Sequence, residues 1–182
     1  MKKICVLFPG IGYHCDKPLL YYAAKLAKSK GYEVIKLKFS GFPQGAKGNE
    51  DKLSAAAAHG LELSRQQLSD INFNEFDRIV FIGKSIGTRI CLEYREEQHI
   101  AADCILLTPL VQTFMLPSHC CTAFHGTADP WAETEQIRCL CQNSNVKLYE
   151  YDGADHSLET GVADNDIRIT GSVMKVLNDI IR

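Results

Sequence analysis

The sequence predicts an α/β protein, a three-layer α/β/α sandwich on a six-stranded, mostly parallel sheet. Three observations carry this reading. Short apolar runs alternate along the chain with longer segments of helical period. The runs are almost continuously apolar, as strands covered on both faces must be. A chain of 182 residues can also bury roughly 70% of its unfolded surface, enough for a single core, so residues 1–182 are expected to form one domain.

The elements follow in order. Residues 3–9, KICVLFP, read as a buried first strand. Asp16 and Pro18 suit a helix start, Leu19, Ala23, Leu26 and Ala27 share its apolar face, and Gly31 ends it. Residues 32–39 form the second strand, and a Gly- and Pro-bearing loop follows. Asn49 is placed to cap a helix whose apolar face is Leu53, Ala57, Leu61 and Leu68. Residues 77–83 make the third strand, with a helix from the next turn to about Gln98. The fourth, fifth and sixth strands fall at 103–109, 120–126 and 146–152. A helix spans about 130–143, and a last one carries Val173, Leu177, Ile180 and Ile181 on one side.

Composition excludes several classes of function. The chain is 46% hydrophobic and 23% charged, with a net charge of −2. It has no basic footprint, so nucleic acid is not an expected partner. The opening MKKICVLFPG has lysines before an apolar stretch, but Pro9-Gly10 breaks that stretch and no small-residue cleavage site follows. No segment reaches the roughly 18 apolar residues of a membrane helix. A cytoplasmic protein with a small-molecule substrate and no membrane partner is expected. The eight cysteines form no CxxC pair, and the six histidines do not join them at zinc-ligand spacing. Free, mostly buried thiols are expected, and no metal or organic cofactor.

In parallel sheets covered by helices, ligands sit outside the carboxyl ends of the strands. Polar residues just past each strand are therefore the candidates. Pro9-Gly10-Ile11-Gly12-Tyr13-His14 follows the first strand, and Gly83-Lys84-Ser85-Ile86-Gly87 the third. His125 to Asp129 close the fifth, and Gly153-Ala154-Asp155-His156 the sixth. A serine, an acid and a histidine thus occupy three strand ends in the order Ser…Asp…His. A serine hydroxyl becomes a nucleophile when a base takes its proton, and neutral imidazole does this near pH 7. An acid on the other ring nitrogen fixes the tautomer and stabilises the imidazolium. The oxyanion formed on a substrate carbonyl needs rigid N–H donors. A G-x-S-x-G turn between strand and helix supplies one, here the Ile86 amide, and lifts Ser85 out of the sheet edge. Its glycines let the turn pass close to neighbouring backbone. Asp129 could instead cap the helix that begins at Pro130, with Asp152 and Asp155 as rival acids. His125 ends a buried strand and reads as a packed or hydrogen-bonded histidine. Lys84 reads as a packing side chain or as a contact for an anionic substrate.

These motifs, G-K-S-I-G at 83–87, H-G-T-A-D at 125–129 and G-A-D-H at 153–156, resemble those of the α/β-hydrolase superfamily. The resemblance extends over nearly the whole chain and is nearest the small, lidless, dienelactone-hydrolase-like serine hydrolases, without the two strands that open the full fold. It implies Ser85 as nucleophile, Asp129 as acid and His156 as base, and a sheet order of 2-1-3-4-5-6. It also implies that Ile11, across the crevice, joins Ile86 in the oxyanion hole. Many members carry His-Gly after the first strand where this chain has Pro9-Gly10, which leaves the second donor open among Ile11, Gly12 and Tyr13. Dienelactone hydrolases proper carry cysteine at the elbow, so their substrate does not transfer.

Gly10, Gly12, Tyr13 and His14 are expected to line the substrate site. Gly10-x-Gly12 is not a dinucleotide motif, because Cys15 takes the third glycine position and no acid ends the second strand. The link between the fourth and fifth strands is too short for a folded lid. Leu110, Val111, Phe114, Met115 and Leu116 are offered as an apolar wall, and Trp131 as a neighbour of the mouth. The expected chemistry is hydrolysis of a small ester or thioester through an acyl-enzyme. A non-catalytic binding module and an acyltransferase on the same fold are the alternatives.

Overall fold

The computed structural model describes residues 1–182, and β1 (Lys3–Phe8) shows how its sheet is organised. Ile4, Val6 and Phe8 enter one core, while Cys5 and Leu7 enter the other. Both faces of the strand are buried, as its unbroken apolar run requires.

The sheet contains β1, β2 (Glu33–Lys36), β3 (Arg78–Lys84), β4 (Asp103–Leu107), β5 (Cys121–Gly126) and β6 (Lys147–Tyr151) in the order β2-β1-β3-β4-β5-β6. Every neighbouring pair is parallel. The reversal of strand order lies between β1 and β3, where Leu7 pairs with Ile82 and Phe8 with Gly83. That register places Pro9-Gly10 beside the turn after β3.

Five helices cover the sheet. On one face α1 (Pro18–Ser29) packs on α5 (Ala163–Ile180), with Leu19, Leu20, Ala23, Val173 and Leu177 in the core. On the other lie α2 (Glu50–Gln67), α3 (Ile86–Glu97) and α4 (Thr134–Asn143), contributing Leu53, Ala57, Ile90, Leu92 and Ile137. Asn49 caps α2 as its position predicts, accepting the Lys52 amide at 2.9 Å. Glu50 and Asp51 complement the helix dipole in the first turn.

Several boundaries differ from the sequence reading for local reasons. β2 ends at Lys36, with one further bond to β1 from the Leu37 amide to Leu7 O at 3.1 Å, and the Gln67 side chain takes both backbone groups of Lys38, at 2.8 and 2.9 Å, on the open edge of the strand. β4 stops at Leu107 because Thr108 turns to φ 46°. Helix α4 begins at Thr134 and not at 130, since the Asp129 carboxylate accepts the Trp131 amide at 2.8 Å and closes a separate turn. Asp16 does not cap α1. Its carboxylate pairs with Lys36 at 2.8 Å, and Pro18 opens the helix. Two short 3-10 turns, Phe73–Glu75 and Val111–Met115, occupy segments read as loops. The second is all that fills the link from β4 to β5, and no lid is present. All eight cysteines are free, with Cys120 and Cys139 exposed. No helix is long and apolar enough to cross a membrane.

Candidate active site

The turn between β3 and α3 holds Ser85 at φ 55° and ψ −123°, a conformation that side chains rarely adopt. Its surroundings leave the backbone little choice. The Ser85 amide donates to Leu107 O on β4 at 2.9 Å. A side chain at Gly83 would collide with the backbone of Gly87 and Thr88, and one at Gly87 with the carbonyls of Phe8 and Pro9. A Cβ on Gly10 would lie 2.9 Å from Lys84 O and 3.1 Å from the Ser85 Cβ. Both motif glycines and Gly10 are thus required by close backbone approach. The Thr88 hydroxyl donates to Ser85 O at 2.6 Å and secures the first turn of α3.

The loops after β5 and β6 meet in the same way. Gly126 packs on the carbonyls of Ala154 and Asp155, and the Ala128 amide donates to Ala154 O at 2.9 Å. These contacts bring Asp129 to His156. The His156 Nδ1–H donates to Asp129 Oδ2 at 2.7 Å, and the Ser85 hydroxyl donates to His156 Nε2 at 2.7 Å. The carboxylate needs a donor and the hydroxyl an acceptor, so this line selects the Nδ1–H tautomer. The rival acids are engaged elsewhere. Asp152 accepts from Thr127 Oγ1 at 3.0 Å, and Asp155 accepts the amides of Ser157 and Glu159.

Burial holds the His156 imidazole below the ordinary histidine pKa. The hydrogen bond to Asp129 opposes this shift, and the nearby Lys84 ammonium adds to it. The ring is therefore neutral near pH 7. The Trp131 indole stacks on it, with centroids 5.0 Å apart and planes 20° from parallel. Ser85 is only 5% exposed although the site has no lid. His125, fully buried, contacts Thr134 Oγ1 at 3.1 Å through Nε2. Its Nδ1 has no hydrogen-bond partner and lies 3.9 Å from Asp129 Oδ2. Burial lowers the His125 pKa, so a neutral ring flanks the acid.

Ile86 is the first residue of α3, so its amide has no intrahelical acceptor. In the first loop, Tyr13 N is engaged with Gly10 O at 3.3 Å, while the amides of Ile11 and Gly12 donate to no protein group. That removes Tyr13 from the three candidate donors. Tyr13 itself packs inward. It is 7% exposed, its hydroxyl accepts the Leu19 amide at 3.1 Å, and its ring lies under Lys84. Gly10, Gly12 and His14 line a cleft of about 310 Å³ at the ends of β1 and β2, beside Cys15, Lys38 and Phe42. Of the expected apolar wall, Leu110 is buried, Val111, Phe114 and Leu116 pack partly on the core, and Met115 stands in solvent. Lys84 is turned inward and 1% exposed, so it reaches no anionic substrate. The Trp131 stack and the Lys84 contacts have no signal in sequence spacing, because each joins loops from different strands.

A parallel sheet with a strained serine elbow at its topological switch, and an acid and a histidine brought to it from later strand ends, defines the α/β-hydrolase class. The family model described as the alpha/beta hydrolase domain matches residues 1–180, and the chain belongs to that family. Solved structures agree in fold. A Xanthomonas campestris protein described as a member of the alpha/beta hydrolase superfamily superposes with a TM-score of 0.68 at 16% identity, over 98% of this chain and 99% of that one. The Bacillus cereus carboxylesterase gives 0.61 at 19% identity, over 98% and 89%. A second Xanthomonas campestris protein, an α/β serine hydrolase without a lid, gives 0.57 at 13% identity, over 97% and 81%. No curated protein is similar in sequence.

Proposed function

We propose that this α/β hydrolase is a serine hydrolase that cleaves a small carboxylic ester or thioester through an acyl-enzyme. The observation that carries the reading is the unbroken line Ser85 Oγ, His156, Asp129, with 2.7 Å at both joints. Ser85 Oγ attacks the carbonyl carbon while His156 Nε2 takes its proton. Asp129 stabilises the resulting imidazolium. The amides of Ile86 and of Ile11 or Gly12 receive the oxyanion. The imidazolium then gives its proton to the leaving oxygen or sulfur. A water molecule, deprotonated by the same ring, attacks the acyl carbon and releases the acid and Ser85.

The low exposure of Ser85 and the small cleft beside Gly10 and Gly12 favour a small acyl group. A p-nitrophenyl ester series of increasing chain length tests this, with Ser85→Ala and His156→Ala alongside and a fluorophosphonate probe for labelling. The expected result is hydrolysis of short esters, and labelling of the wild type that Ser85→Ala abolishes. Labelling that survives Ser85→Ala, or full activity in His156→Ala, refutes the assignment.

A further inference from the structure

Lys84 is the residue before the elbow serine, and it is buried in an unusual way. Its side chain passes to the α1/α5 side of the sheet and is 1% exposed. Nζ donates to Thr108 Oγ1 at 2.6 Å and to the backbone carbonyl of His156 at 2.7 Å. The Tyr13 ring lies 4.8 Å below it. The Thr108 hydroxyl donates to the same His156 carbonyl at 3.0 Å. Thr108 has φ 46°, a strained value for a β-branched residue. Its amide is fixed to Phe124 O at 2.7 Å. One carbonyl, that of His156, thus collects two donors from the ends of two strands. No carboxylate hydrogen-bonds the ammonium, and Asp129, Asp155 and Glu159 act on it only through space. Burying such a group is unfavourable, and a Met or Leu would fill the space without that penalty.

We propose that Lys84 is a positioning residue, which together with Thr108 clamps the His156 carbonyl so that the imidazole stays in line between Ser85 Oγ and Asp129. The inference rests on His156 being the base. It accounts for a cation with no ion-pair partner at a position where packing alone would favour an apolar side chain. Burial lowers the Lys84 pKa to about 7, against the attraction of the three carboxylates. The clamp survives that titration, because a neutral amine still donates two hydrogen bonds. The charge has a second effect, since protonated Lys84 lowers the His156 pKa. Removing it should move the imidazole pKa up. Of the other groups around these two, Tyr13 is held neutral, its pKa raised to about 12 chiefly by burial.

The test uses Lys84→Met in the full chain, with thermal unfolding to show that it folds. Titration of the His156 ring by nitrogen-15 NMR is the first readout, and the pH profile of ester hydrolysis the second. The expected result is a raised His156 pKa, an acid limb of kcat/KM displaced upward with it, and kcat reduced on the order of 10–100-fold at similar KM. Unchanged kcat overturns the proposal even if the ring titration moves, because the titration reads the Lys84 charge and kcat reads the clamp; a purely structural role would lower stability and leave kcat of the folded variant unchanged. If Lys84→Met does not fold, Thr108→Val decides: kcat lowered several-fold supports the clamp, and wild-type kcat overturns it. A wild type inactive on every ester would sink the serine-hydrolase reading alone, because the NMR titration still reads the contact between Lys84 and His156.

Discussion

Ser85 holds φ 55° and ψ −123° without being a glycine. A side chain in so sparsely populated a region costs about 1–3 kcal/mol. Comparing Ser85→Gly with Ser85→Ala isolates that cost, since both variants lose the hydroxyl and its bond to His156. Glycine relieves the strain but gains about 0.4–1 kcal/mol of unfolded-state entropy. It also loses the burial of one carbon, at most about 0.8 kcal/mol. The balance leaves Ser85→Gly more stable than Ser85→Ala by about 1 kcal/mol, or about 2–4 °C in Tm for a chain of this size. Differential scanning calorimetry on both, at one pH and scan rate, reads the difference directly. Both variants are expected to be inactive. Equal melting temperatures, or a less stable glycine variant, would refute the claim that the elbow stores backbone strain in order to present its hydroxyl.

Other predictions follow from the same geometry. Asp129→Asn should fold but lose about 10⁴-fold in kcat, because the amide no longer selects the Nδ1–H tautomer; steady-state ester hydrolysis checks this. Activity should rise with pH as His156 loses its proton, and the acid limb of kcat/KM should lie below the ordinary histidine value of 6.5, since burial disfavours the charged ring. Gly87→Ala should fail to accumulate as soluble protein, because its methyl group would enter the Phe8 and Pro9 carbonyls; expression and circular dichroism decide it. Stability should also respond to Lys84. Its folded pKa is about 7 against 10.5 when solvated. Below about pH 7 both states carry the proton and the buried charge weighs on the folded one. Between about 7 and 10.5 the unfolded state alone holds it, so stability rises with pH. Urea unfolding at several pH values should show this rise in the wild type and its loss in Lys84→Met.

Much of the fold is readable from pattern because burial on both faces leaves no other choice for runs such as ICVLF and RIVFIG. The Asn49 cap and Gly83, which packs on Gly87 and Thr88, are also local signals, whereas Gly87 is needed by the distant carbonyls of Phe8 and Pro9. The boundaries that differ depend on partners distant in sequence. Gln67 covers the Lys38 backbone just past β2, and Asp129 delays α4 by closing a turn on Trp131. The candidate site divides the same way. Ser85, Asp129 and His156 can be picked out because strand ends collect on one edge of a parallel sheet. Among the three acids near strand ends, the resemblance of H-G-T-A-D favours Asp129 over Asp152 and Asp155, while the contact with His156 depends on the packing of two loops.

By itself, then, the sequence determined the alternation of strands and helices, the elbow at Ser85 and the residue types that meet it. Hydrophobic period and the spacing of the glycines around Ser85 are both written in neighbouring residues. The tertiary structure alone decided that Tyr13 lies beneath the site, that Trp131 stacks on the imidazole, that Asp155 turns to its own loop, and that Lys84 turns inward to hold the His156 carbonyl. Most of these depend on how loops from separate strands pack at the sheet edge, where a distance of an ångström or two decides which polar groups find partners.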